Sequence, residues 1–179
     1  MSLGIALQNQ IAVLQSRAFE PKIVYTDPHS TFRSMTREFP GIEIDVGGRG
    51  DYVAKVDVKI RRIKETVRKV LAGLPWSLPK QLVGDLVAYA VSRLNIRRTT
   101  ALAENVCPKV LFTGIPVDYR KELQLAFGDY VEAYEGTTNT MTQRSSACIA
   151  LHPAANSTGS WILWKIEMKS RVRAATWLS

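Results

Sequence analysis

The sequence predicts a mixed α/β fold in two parts, an α/β core followed by a small antiparallel β-barrel. Three observations predict it. From Gly4 to Leu71, apolar residues recur with helical and extended periods in the order helix, strand, helix, strand, glycine loop, helix, which is the pattern of half an α/β domain. Beyond Phe127 the pattern becomes period-two and is cut by turn residues, as strands of a small barrel require. The formal net charge is +8, and the cations gather on one predicted helix, which points to a polyanionic partner.

Each element has a local reason. From Gly4 to Arg17, Ile5, Ile11, Ala12 and Leu14 alternate with Gln and Asn as an amphipathic helix that stops before Pro21. Lys22 to Thr26 is a short β-branched and aromatic run that reads as a buried strand, with Asp27 at its end and Pro28 after it. Ser30 or Thr31 can cap a second helix reaching Phe39, closed by Pro40 and Gly41. Ile42 to Val46 reads as another strand, and Gly47, Gly48 and Gly50 as a mobile loop. The long helix that follows carries Val56, Ile60, Ile63, Val67 and Val70 at three- and four-residue steps, a core-facing stripe. Pro75 and Pro79 bracket a break, and Leu82 to Asn95 is a second long helix, apolar on one side. CPKVLFTG reads as a turn with a short helix. Four strands are predicted at Tyr130 to Tyr134, Ala147 to Leu151, Ser160 to Ile166 and Arg171 to Trp177, with Trp161, Trp164 and Trp177 as barrel core. The domain boundaries follow: 1–105 for the core, 106–126 as connector and 127–179 for the barrel.

The long helix also carries chemistry. Asp57, Arg61, Lys64 and Arg68 recur at the same steps as the apolar stripe, about a third of a turn away. One carboxylate at the head of a cationic row suits a metal ion held beside a nucleic-acid backbone. Lys59 belongs to the same basic cluster. Asp27, at a predicted strand end, is the second carboxylate, since ligands of α/β sheets collect at the C-terminal ends of strands. Read one at a time, each has a plainer role: an Asp before Pro makes a turn, and an Asp in a first helical turn serves the helix dipole. Arg61 and Lys64 would contact phosphates, or simply form a solvated face.

Composition excludes other classes. Cys107 and Cys148 lie far apart, and His29 and His152 are the only histidines, so neither a disulfide scaffold nor a Cys/His zinc site is predicted. Both cysteines read as buried structural residues in a reducing, intracellular compartment. No apolar run approaches the ~18 residues of a membrane span, and no signal peptide is read at the start.

Taken together, YTDPHSTF, IDVGGRGDYVAKVDVKIRRIKETVR, LPWSLPKQLVGDLVAYAVSRLNIRR, CPKVLFTG, DYRKELQLAFGDYVEAYE and GSWILWKIEMKSRVR resemble, in order, the integrase region of copia-type retrotransposon polyproteins. The resemblance covers about Ala18 to Trp177. It implies an RNase H-like core followed by a Src-homology-3-like barrel. It also implies a site of two aspartates and a glutamate that uses Mg2+ or Mn2+ to join element DNA to target DNA, in the nucleus during integration. Asp27 matches the second catalytic aspartate and Asp57 the position of the glutamate, one methylene shorter. Arg61 and Lys64 match basic positions that face the DNA ends.

The front of the family's pattern has no counterpart. The first catalytic aspartate would precede the Gly4 to Arg17 helix, and Glu20 is the only acidic residue before Asp27. The zinc-binding module is not found either. The resulting expectation is a truncated core that binds DNA without independent catalysis. Two alternatives stay open: an inert or domesticated remnant that binds proteins through the apolar Leu82 to Leu94 helix, and a homo-oligomer in which a partner completes the site. A half-built sheet would expose strand edges.

Overall fold

The computed structural model describes residues 3–26, 39–46, 54–98, 106–134, 136, 141, 143–154, 156 and 158–178. The chain divides into two compact units, Met1–Arg61 and Arg62–Ser179, with the division inside one long helix.

In the first unit, α1 (Leu3–Gln15) precedes two parallel strands, β1 (Ile23–Thr26) and β2 (Glu43–Val46). The helix stops where Ala18 turns left-handed at φ 60°, a common helix end with Pro21 soon after. The strands pair from Ile23 opposite Glu43 to Thr26 opposite Val46. Side chains alternate in direction along a strand, so one face presents Ile44 and Val46. These join Ile11 and Leu7 of α1, Phe39 and Ile42 in a small core. The other face presents Ile23, Tyr25, Glu43 and Asp45, all exposed. The predicted Ser30 or Thr31 helix, apart from its end at Phe39, and the glycine loop lie outside the described residues.

The long helix α2 spans Ala54–Gly73, ending where Gly73 and Pro75 supply the stop. The predicted core-facing stripe holds only in its C-terminal half. Val67 and Val70 pack against the core of the second unit, whereas Val56 and Ile60 are 49% and 43% exposed. Periodicity marks which residues share a face; it does not say how much of that face meets a partner.

After Pro75 and Pro79, a 3-10 turn (Lys80–Leu82) leads into α3 (Val83–Asn95). Leu82, Leu86, Tyr89 and Ala90 are buried, as the apolar side of the predicted helix requires. The short helix α4 (Pro108–Thr113) starts on Pro108, whose missing N–H costs nothing there, and ends on Gly114 at φ 68°. One further turn, α5 (Tyr119–Glu122), is capped by Asp118, whose Oδ1 accepts from the Arg120 amide at 3.1 Å.

Five strands follow: β3 (Tyr130–Tyr134), β4 (Ser145–Pro153), β5 (Trp161–Lys165), β6 (Ser170–Ala174) and β7 (Trp177–Leu178). They form an open antiparallel sheet in the order β6-β5-β4-β3-β7. The predicted Arg171 to Trp177 strand is therefore two strands. It breaks at Ala175 and Thr176 so that β7 can return beside β3. A register shift between Ala150 and His152 bends β4. Val131, Ala133, Cys148, Ala150, Leu151, Trp161, Leu163 and Trp164 are buried and join α3 in one core, and Trp177 packs at its margin. Both cysteines are buried and unbridged, as read from the sequence.

Candidate nucleic-acid interface

A helix advances about 100° per residue, so position alone sorts the charges of α2 into rows. Asp57, Arg61, Lys64 and Arg68 fall within about 60° of one another. Arg61, Lys64 and Arg68 are exposed and Asp57 is half-buried. Lys59 does not share this row. It stands about 160° from Arg61, with Arg62 and Lys69, on the other side of the apolar stripe. The stripe is thus flanked by cations on both sides, which the sequence pattern contained but a single-row reading missed. Seven basic and two acidic residues lie between Ala54 and Gly73.

The carboxylates do not assemble into a describable metal centre. Asp27 lies outside the described residues, and among the described residues no three of His, Cys, Asp or Glu come together. Asp57 contributes one carboxylate in the first turn of α2. Mg2+ takes one or two carboxylates together with substrate phosphate oxygens, and of the two carboxylates predicted here only Asp57 is among the described residues.

No family model matches this chain, and no curated protein does. Its function therefore rests on the residues themselves.

Two other charged clusters are consumed by the fold. Arg93, grouped in the sequence with Arg97 and Arg98, donates to the carbonyls of Glu122 and Leu125 at 2.6 Å each. Its guanidinium also lies over the rings of Tyr89 and Trp161 at 4.6 and 5.7 Å. It fastens α3 to the α5 segment and the sheet, and is no phosphate contact.

Asp85, buried on α3, was not singled out by sequence reasoning. Arg171 of β6 grips it through Nη2 at 2.8 Å and Nε at 3.1 Å, and Nη2 also donates to the Gln81 carbonyl at 2.9 Å. His152 Nε2 stands 3.6 Å from the same carboxylate. Hydrogen bonding to Asp85, then attraction to its charge, holds the Arg171 guanidinium above its ordinary pKa. The signal in the sequence was a lone carboxylate inside the apolar run LVGDLVAYAV, since a buried carboxylate needs a partner.

One side of α3 meets the fold rather than solvent, while Val83 and Val87 on the same helix are 46% and 38% exposed. Leu82, Leu86, Tyr89 and Ala90, the apolar side of α3, are already in the core. That face is not available to a partner.

Proposed function

We propose that this chain is a nucleic-acid-binding part of a copia-type integrase, made of an RNase H-like core segment and a Src-homology-3-like barrel. The single observation that carries the binding reading is the exposed row Arg61, Lys64 and Arg68 on one helix. The row spans about 10 Å, the reach of roughly three phosphates of one DNA strand at 3.4 Å each. The core reading is supported by a parallel strand pair followed by a long helix headed by Asp57. A five-strand meander whose last strand pairs with its first supports the barrel reading.

Strand transfer belongs, on this proposal, to an intact polyprotein in which Asp27 and Asp57 hold Mg2+ or Mn2+. On the same proposal, the basic residues of this chain bind and orient the nucleic acid. No reaction step is drawn through the metal.

The test is affinity for a labelled duplex of arbitrary sequence. Arg61→Ala with Lys64→Ala should weaken binding about equally for all sequences and flatten its salt slope by about one unit per lost phosphate contact. An unchanged slope rules the row out as the contact surface.

A further inference from the structure

We infer that the face of β3 carrying Tyr130, Glu132 and Tyr134 docks an extended peptide with arginine at alternate positions. These three residues alternate with the buried Val131 and Ala133, so they share the other face of the strand. Tyr130 and Tyr134 are 58% and 50% exposed there. The neighbouring strands extend the patch. Ile149 stands opposite Tyr130, Ser145 opposite Tyr134, and the exposed Leu178 opposite Glu132. Ser145 Oγ donates to Glu132 Oε2 at 3.0 Å, which steadies that carboxylate between the two rings.

Charge names the occupant. The chain has a net charge of +8, yet no Lys or Arg stands between Lys121 and Arg144, a stretch that holds Asp129, Glu132 and Glu135. Exposed rings can also stack nucleic-acid bases, but such a platform needs cations for the phosphates. This patch carries a carboxylate instead, and neither residues 145–149 nor β7 include a basic residue. A guanidinium suits both parts of the patch, since it lies over a ring face and pairs with a carboxylate. The same unit already holds one over a tyrosine, Arg93 on Tyr89 at 4.6 Å. Spacing selects an extended ligand. Residues on one strand face recur about every 6.7 Å, the interval of alternate side chains in an extended peptide, so three of them reach Tyr130, Glu132 and Tyr134 in turn. This site is separate from the cationic row of α2 and does not depend on the nucleic-acid reading.

Anisotropy of a labelled peptide of alternating Arg and Ser, titrated with the full chain, tests this. The parent chain should bind it despite its own positive charge. Tyr130→Leu with Tyr134→Leu should raise the dissociation constant at least about fivefold, because leucine keeps apolar area and removes the π faces. Glu132→Gln, which keeps an acceptor for Ser145, should raise it about two- to fivefold. Both variants change surface groups, and thermal melts matching the parent show that they are folded. A parent chain that does not bind the peptide, or folded variants that bind it as well as the parent, would overturn the inference. So would a tyrosine variant that loses affinity for a single-stranded oligonucleotide and none for the peptide, which would make the face a base-stacking platform.

Discussion

Asp85 shows at the scale of one residue how a charge can be buried. Its carboxylate is buried on α3 and gripped by Arg171 in a fork that only a guanidinium can make. Removing one partner of a buried pair is costly, but Arg171 is itself 50% exposed and its freed charge reaches water. Asp85→Ala should therefore destabilise the protein by about 1–3 kcal/mol in urea unfolding, and Arg171→Lys by less. A change below about 0.5 kcal/mol for the alanine variant would mean the pair contributes nothing measurable. The sign of the pH effect is fixed by the raised Arg171 pKa. Its stabilisation is complete below the ordinary arginine range and is lost only as pH rises through the higher folded value. Asp85 was passed over in the sequence although it is a lone carboxylate within an apolar run, and its partners lie 86 and 67 positions away on strands whose register no local pattern reveals.

Elements were legible where one local signal decided them. The limits of β3 follow from alternation, and α4 from Pro108 and Gly114. α5 was missed because it is a single turn held by Asp118, too short to show a period. The Arg171 to Trp177 run was read as one strand because the break at Ala175 and Thr176 is imposed by pairing with β3, a contact distant in sequence. Gly128 has the same tertiary origin. It sits just before β3 at φ 95°, and a Cβ there would lie 2.6 Å from Leu74 Cδ2 and 3.4 Å from Trp76. Gly128→Ala therefore meets both backbone strain and a clash where the connection after α2 packs on the sheet. It should cost about 2–4 kcal/mol, with the Leu74 tip able to give way only in part. A thermal melt within about 2 °C of the parent chain would contradict that packing.

On the scale of the molecule, the division between two units with separate cores falls inside one helix, and that helix carries nine charged residues. Among the described residues, no helix is long and apolar enough to cross a membrane. The cationic helix was legible from spacing, because 3.6-residue periodicity is local. How its stripe is divided between the core and exposed surface was not legible, because that depends on where the two cores end. The same limit applies to the site: the row of Arg61, Lys64 and Arg68 could be read from the sequence, while Lys59 could be assigned to the other side only by helical position. Overall charge of +8 alone would draw nucleic acid to any basic surface. A designated contact row makes a stronger claim, that the position of the cations matters and not only their number.

Two triple variants with equal charge loss separate these cases. One is Arg61→Ala, Lys64→Ala, Arg68→Ala; the other is Lys59→Ala, Arg62→Ala, Lys69→Ala. Anisotropy of a labelled duplex is followed across a salt series with protein dilute. The first triple should flatten the slope of log affinity against log salt by about 2–3 units, near 0.9 for each lost phosphate contact, and the second by less than about 1. Equal flattening by both, or none by the first, would contradict the assignment of nucleic-acid binding to this row.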